Sequence, residues 1–386
     1  LPNLPQQVNK QGKKILFYYP SNKRTVGFET LFSKLVDRGY EVLLLTTCER
    51  GILHEKSEEI GVKVFANSIR KQNSILYYWR QIQYLIHFCK LHQVDVLASH
   101  LQHTNLIAVI AQLFISTKVV IFRHHFKFHL LDNSIELQTN TNEQRFDRII
   151  NNLAKKIIVP SSGVYNGMKE FEKVNMNKVF ILPYFYDFKK YSSPNLNNVT
   201  KIKSENSCKL LLIMCARLIP FKRHTIAFEV VQKLIQEGYD LKMLVLDEGP
   251  ERENLENFIR LNNLEDQIKM LGFRTDFIDY MAASDLLIHP SLTEASNSVV
   301  KEMGLMKKAV AVCENVGDFS DYIVHEKNGF ILGLKNTAED IENTILKAYQ
   351  ENEMLSKLGT QLKQDVENRF QVNSHHIDNY IEALFN

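Results

Sequence analysis

Short apolar runs, each closed by a polar turn and followed by a helix-length segment, recur from Ile15 to Leu332. Runs this short suit strands, and their alternation with helical segments is the pattern of parallel strands joined by crossover helices. In the first half the expected strands are Ile15–Tyr19, Glu41–Thr46, Lys63–Phe65, Val94–Ala98, Val119–Phe122, Ile157–Val159 and Val179–Leu182, with helices including Phe28–Arg38, Ile75–His92 and Thr104–Ile115. The pattern restarts at Lys209–Cys215 and continues through Leu241–Leu246, Ile268–Leu271, Leu286–His289, Ala309–Val312 and Gly329–Leu332. Helices are expected there at His224–Gln236, Pro250–Asn262, Ser298–Met306 and Thr337–Gln350. Tyr184–Asn206 separates the two series; it carries Pro194, three nearby asparagines and no sustained apolar period, and reads as a linker. The 386 residues exceed what one core usually organises, so the fold class is α/β with two doubly wound units in tandem.

Several function classes drop out on composition. No window holds 18 uninterrupted apolar residues; the longest run, Leu106–Ile115, contains Gln112, so a spanning helix is not expected. Leu1–Lys14 lacks the apolar centre of a secretory signal. The five cysteines, at 48, 89, 208, 215 and 313, include no C-x-x-C pair and read as reduced core residues. Together these features lead us to expect a cytoplasmic protein. The net charge of +3 hides an asymmetry: residues 1–185 hold 24 basic and 14 acidic residues, a balance of +10, and the remainder balances at −7. Either the first half meets something anionic, or its lysines are scattered and solvated. No nucleic-acid motif accompanies the charge.

The chemistry-bearing residues gather after the strands of the second half. Lys209–Cys215 leads into Ala216-Arg217-Leu218-Ile219-Pro220-Phe221-Lys222, and Arg217 and Lys222 can converge with the next helix end on one anionic group. Two solvated cations are the alternative. Val245–Leu246 leads into Asp247-Glu248-Gly249-Pro250, a turn that either faces a ligand or is purely structural. Leu271-Gly272-Phe273-Arg274 ends another strand. In Pro290–Glu302, Glu294 falls in a loop and Glu302 about one turn into a helix, with Asn297 or Ser298 as N-cap and the positive helix end at the strand mouth. A carboxylate beside a diphosphate would be repelled, so these acids suit hydroxyls: Glu302 both hydroxyls of a ribose, Glu294 a sugar.

In this order the motifs resemble the retaining glycosyltransferases of family 4, which have the GT-B fold. Arg217-x4-Lys222 is similar to the family's diphosphate-binding pair and Glu294-x7-Glu302 to its acidic signature; Ser284-Asp285-Leu286, Pro290-Ser291, Val316-Gly317 and Asn328-Gly329-Phe330 fit between and after them. The resemblance implies two Rossmann-like domains facing a cleft. An acceptor-binding domain would span 1–185 plus about 372–386, and a nucleotide-sugar-binding domain 186–371, with the last helix crossing back to the first domain. It further implies that Gly27 and Phe28 belong to a glycine-containing acceptor loop, with His125 expected as a further acceptor contact. It places His124, with His125 as the fallback, beside the donor sugar. Donor contacts would come from Glu302, Asn297, Ser298, Arg274, Phe273 and Gly249.

The chain departs from the family at several positions. Asp247 stands where glycine is usual, Ala295-Ser296-Asn297 replaces Gly-Phe-Gly, Met303-Gly304 replaces Ala-Met, and Lys307 replaces a common glycine. The expected reaction moves a hexose or N-acetylhexosamine, from UDP by default, to a glycan or lipid-linked acceptor with retention. Arg217 and Lys222 would stand in for a metal, since the donor segment has no D-x-D; no cofactor is expected. Rival readings are a catalytically degenerate homologue that binds nucleotide sugar or a partner transferase, and a nucleotide-sugar epimerase. The basic, aromatic stretch Phe122–Leu131 suggests peripheral contact with an anionic membrane, whereas Tyr77–Ile86 reads as a core-facing helix.

Overall fold

The computed structural model describes residues 12–69, 74–125, 141–191 and 193–386. Strands β1 (Lys14–Tyr19), β2 (Glu41–Thr46), β3 (Lys63–Ala66), β4 (Val96–His100), β5 (Lys118–Phe122), β6 (Ile157–Val159) and β7 (Val179–Ile181) form one parallel sheet in the order β3-β2-β1-β4-β5-β6-β7. Ile15 lies between Val42 and Val96 in register. Ile15, Leu16 and Phe17 are all fully buried although successive side chains point to opposite faces, because helices cover both sides of the sheet. A second parallel sheet contains β8 (Leu210–Cys215), β9 (Leu241–Leu246), β10 (Ile268–Gly272), β11 (Leu286–His289), β12 (Ala309–Cys313) and β13 (Phe330–Leu332), in the order β10-β9-β8-β11-β12-β13. Both are Rossmann-like, and the strand order reverses between β1 and β4 and again between β8 and β11. Open α/β sheets bind ligands at the carboxyl ends of strands at such reversals.

The chain passes between the domains twice, and the two passages pair. Tyr186 N donates to Phe370 O at 2.8 Å, and Val372 N donates to Tyr186 O at 2.8 Å. The last helix, Ser374–Phe385, then buries Ile377, Tyr380, Ile381 and Leu384 against the first sheet, in the same core as Phe122 and Phe185. Arg38 pins this helix through an ion pair with Asp378 and a 3.1 Å bond to Ser374 O. A second interdomain contact joins Gly163 N to Gly317 O at 3.2 Å and Ser162 N to Asp321 Oδ2 at 3.2 Å. A β-carbon on Gly163 would come within 2.4 Å of Gly317 O, so only glycine permits that approach.

Two expectations need correcting. Within the expected linker Tyr184–Asn206, residues Leu196–Glu205 form a helix. Asn195, read as a turn residue, caps it by accepting from Asn197 N at 3.0 Å, while Asp279 accepts from Asn195 N at 2.7 Å and Asn198 Nδ2 at 2.9 Å. Ile202 is the helix's one buried residue, so it left no apolar period to find. Strand β4 also starts two residues later than expected and runs on to His100, because Val94 N closes the preceding helix onto Cys89 O at 3.1 Å. That extension delivers a histidine to the cleft. Among the described residues no helix is long and apolar enough to cross a membrane. In the helix Ser74–His92, Tyr77, Ile82 and Leu85 are buried while Trp79 is 55% exposed. Of the stretch Phe122–Leu131, residues 126–131 lie outside the described residues. All five cysteines are free thiols, and burial pushes Cys89 and Cys313 up to about 12.

Candidate active site

The loops after β8 and β11 lie side by side because their strands pair at the reversal point. Leu292 N donates to Phe221 O at 2.9 Å, which fixes one loop on the other. Lys222 ends a single 3-10 turn, Pro220–Lys222, and its buried ammonium forms an ion pair with Glu294. His289, the last residue of β11, bonds Glu294 Oε1 through Nε2 at 2.7 Å and lies 3.3 Å from Asn297 Nδ2. Burial raises the Glu294 pKa, but the hydrogen bonds and charges of His289 and Lys222 outweigh it and hold the acid well below the usual carboxylate range. Asn297 Oδ1 accepts from Val300 N at 3.1 Å and so caps the helix Ser298–Leu305. Its positive end, beginning at Ser298, opens beside Glu294. Arg217 is exposed at the mouth of the same cluster and forms no ion pair among the described residues.

Glu302 sits one turn further along, buried, its pKa pushed up to about 7 by burial against the opposing charge of Lys301 and a bond from Ser298. Burial, and then the charge of Glu302, raise the pKa of the Tyr191 phenol. Gly249 serves a different purpose from Glu302. A β-carbon there would meet Leu218 O at 2.4 Å, and the backbone around it accepts Leu218 N at Glu248 O (3.1 Å) and donates Glu251 N to Leu218 O (3.0 Å). The glycine therefore lets the turn clasp the residue after Arg217. Phe273 is 71% exposed, and Arg274 lies over the Tyr280 ring and bonds Asp276 at 2.8 and 2.9 Å. Both follow β10, which lies two strands from β8 in the sheet. Two of the family's glycine positions explain themselves: Asp247 has φ +99° and Lys307 φ +58°, backbone that glycine adopts without strain.

Across the cleft, β4 and β5 end in His100 and in Arg123-His124-His125. Buried Arg123 bonds Glu172 (3.0 Å), Asn151 Oδ1 (2.9 Å) and His125 O (3.2 Å), anchoring the turn. His124 is held between His100 Nδ1, 3.3 Å from its Nε2, and the Tyr184 hydroxyl. Burial, then the neighbouring charges of His125 and Arg123, push His124 down to about 3, so it is neutral at pH 7. His125 lines the same cavity as His124. Burial lowers its pKa, Glu294 raises it, and Lys222, Arg123 and Arg217 lower it again, so this ring shares the field of the Lys222–Glu294 cluster. Gly27 and Phe28 fall in the first turn of the helix Val26–Asp37, not in a free loop. With His124 and Tyr184 they line a cavity of about 320 Å³ whose other walls include Phe122 and Tyr380.

The sequence matches two family descriptions, Glycosyltransferase Family 4 over residues 26–190 and Glycosyl transferases group 1 over 197–365, which together span both sheets and the cleft loops. The chain is a family 4 glycosyltransferase. Among curated relatives it is 21% identical over 159 residues to the poly(ribitol-phosphate) alpha-N-acetylglucosaminyltransferase of Staphylococcus aureus, covering 41% of this chain and 32% of that one. It is 22% identical over 200 residues to the N-acetyl-alpha-D-glucosaminyl L-malate synthase of Bacillus anthracis, covering 52% of each. The matches to these two thus cover about half or less of each relative's length. Among solved structures, Anabaena Alr3699/HepE in complex with UDP and glucose superposes with a TM-score of 0.77 at 19% identity, covering 96% of this chain and 99% of that one. WaaG, a glycosyltransferase involved in lipopolysaccharide biosynthesis, gives 0.70 at 14% identity, covering 96% and 99%. This family 4 chain therefore has the GT-B fold of those structures.

Sequence reasoning passed over His289, His100 and Tyr184. His289 carried a usable signal: a polar residue at the end of an apolar strand, five positions before Glu294. His100 and Tyr184 carried none, because they matter only through each other and His124.

Proposed function

We propose that this family 4 member is a retaining transferase that moves a hexose or N-acetylhexosamine from a nucleoside diphosphate, UDP by preference, to an acceptor hydroxyl in the interdomain cleft. The observation that carries this reading is the cluster at the mouths of β8 and β11. There a buried lysine, a carboxylate held ionised and a capped helix end converge beside an exposed arginine. As the bond from the anomeric carbon to the diphosphate oxygen breaks, negative charge grows on the phosphates. Arg217, Lys222 and the backbone N–H groups at Ser298 are arranged to stabilise it, and they supply the positive charge that a divalent metal supplies elsewhere. Glu302 takes the ribose hydroxyls. Retention follows a front-face course in which the departing diphosphate oxygen accepts the acceptor's proton, while Glu294 orients the sugar.

In this reading the two histidines take separate tasks. His125, in the field of Glu294, Lys222 and Arg217, contacts the donor sugar; neutral His124, tied to His100 and Tyr184, builds the wall of the acceptor cavity. Gly27 leaves that cavity open, since nothing lies within 4 Å of where its β-carbon would be. The aromatic lining suits an acceptor with an apolar or ring-stacking face, as a lipid-linked glycan has. A UDP preference rests on the UDP held by the HepE structures and on nothing in this chain that reads the base.

Thermal unfolding against UDP, GDP, ADP and their sugars, without added metal, tests the reading. A ligand that binds only the folded state raises the melting temperature by mass action. One nucleotide series should shift it, and the shift should shrink in Arg217→Ala and Glu302→Ala. Binding without sugar transfer to any acceptor would favour the degenerate homologue; no shift at all would sink the donor assignment.

A further inference from the structure

Lys301 is fully buried one residue before Glu302, and all three of its ammonium hydrogens have partners. Asp318 Oδ2 lies at 2.7 Å, Asn297 O at 2.9 Å and Ser296 Oγ at 3.1 Å. Ser296 Oγ donates in turn to Asp318 Oδ2 at 2.6 Å. Three rings enclose the ammonium, with centroids at 4.4 Å (Phe370), 5.2 Å (Tyr322) and 5.5 Å (Tyr186). Burying such a pair costs desolvation that mutual attraction often does not offset, whereas an apolar pair of the same shape would pack at no such cost. Stability alone is therefore a poor reason for it to be there.

Its position supplies a better one. Tyr186 and Phe370 are the residues at which the two interdomain passages pair. Asp318 adjoins Gly317 and is three residues from Asp321, the two residues that meet Gly163 and Ser162 of the first domain. On the other side, Ser296 and Asn297 belong to the loop that begins at Glu294 and caps the helix of Glu302. Both bridges between the domains thus end on one ion pair, and the ion pair ends on the donor loop. Ser296 stands where the family usually has phenylalanine.

We infer that the Lys301–Asp318 pair, with Ser296, is a positioning element that couples the relative placement of the two domains to the donor loop Glu294–Asn297. The hinge residues set where the ammonium sits; the ammonium sets the loop's backbone and hence the carboxylate and the helix end. This inference rests on the proposed glycosyl-transfer reading for its catalytic consequence, but the coupling itself is measurable without activity.

Two variants test it. Ser296→Ala keeps both charges and removes the hydroxyl that joins them to the loop; the double variant Lys301→Met with Asp318→Asn removes both charges together, so neither is left buried alone. Hydrogen exchange is the first readout. In the double variant, amides of 294–300 and of the passages 185–188 and 369–372 should all exchange about tenfold faster, the size typical of coupling residues. In Ser296→Ala only 294–300 should change. Unchanged exchange at 294–300 in either variant, or a double variant whose passages keep the parent's rates, overturns the coupling.

Kinetics is the second readout, with the donor that the parent uses. Ser296→Ala should lose about tenfold in kcat while free nucleoside diphosphate binds within about threefold of the parent, because Lys301 and Asp318 keep their charges beside Glu302. A parallel loss of kcat and nucleotide affinity would mark a merely structural role. A parent that transfers no sugar would fell the proposed function, and the exchange data would still decide the coupling.

Discussion

Lys222 and Glu294, seventy-two residues apart in sequence, form a buried ion pair at the reversal point of the second sheet. Neither has another way to be stable there: the carboxylate is desolvated and needs a cation, and the ammonium closes a loop that Leu292 fastens from the other side. The pair therefore joins the loops after β8 and β11 into one surface, with His289 as the second support of the acid.

Arg217 stands outside that pair, exposed where a diphosphate would arrive. Arg217→Ala is expected to lower kcat by roughly 10²–10³ with little effect on folding, the scale for losing one stabiliser of developing charge. Steady-state turnover with the parent's donor is the check, and near-native kcat would remove Arg217 from the mechanism.

Glu302 predicts a pH dependence. A ribose hydroxyl donates to the ionised acid, so nucleotide affinity should rise as pH increases from 6 to 8, through the raised pKa of about 7. The same shift makes ionisation unfavourable in the empty site. Its folded pKa lies above the unfolded value, so the stability it contributes is present at low pH and is lost as pH rises through 7. Glu302→Gln should accordingly stabilise the unliganded protein at pH 8 by about 1–3 kcal/mol and flatten the pH profile of nucleotide affinity. Calorimetric titration and thermal melts at pH 6 and pH 8 measure both.

Gly249→Ala forces a β-carbon to within 2.4 Å of Leu218 O, where only backbone can yield. Displacing Leu218 moves Arg217. We expect a loss of about 1–3 kcal/mol of stability together with lower kcat, read by denaturant unfolding and turnover. A variant as stable and as active as the parent would mean that the clasp is not needed.

The opposite result is expected at Lys307. Its φ of +58° suits glycine, so Lys307→Gly should stabilise the fold by about 0.5–1 kcal/mol, the strain relieved exceeding the entropy added to the unfolded chain. Urea unfolding midpoints decide the sign.

Trp79 is the chain's single tryptophan and is exposed in the basic half. If that half docks on anionic lipid, vesicles containing phosphatidylserine should float the protein and shift the Trp79 emission to the blue, and both effects should fade with salt. Neutral vesicles should do neither. Flotation that ignores salt would point away from the charge asymmetry.

Much of the architecture was legible in the chain because parallel strands buried on both faces must be short and continuously apolar, as in Ile15–Tyr19 and Lys209–Cys215. The helix Leu196–Glu205 was not, since its cap residue Asn195 is equally a turn former and its packing surface is little more than one isoleucine.

The sequence by itself determined two tandem Rossmann-like units and the placement of Arg217, Lys222, Glu294 and Glu302 after their strands, because Arg217-x4-Lys222 and Glu294-x7-Glu302 hang on local strand–turn–helix units whose spacing is set by backbone geometry. Only the tertiary structure decided which groups meet. It gave Glu294 two partners, brought His124 to Tyr184, and enclosed Lys301 with Asp318 among rings from both interdomain passages. Several of these contacts join residues far apart in the chain, 72 positions for Lys222–Glu294 and 60 for His124–Tyr184, and their energies come from desolvation and charge, which exist only once the surrounding chain has excluded water.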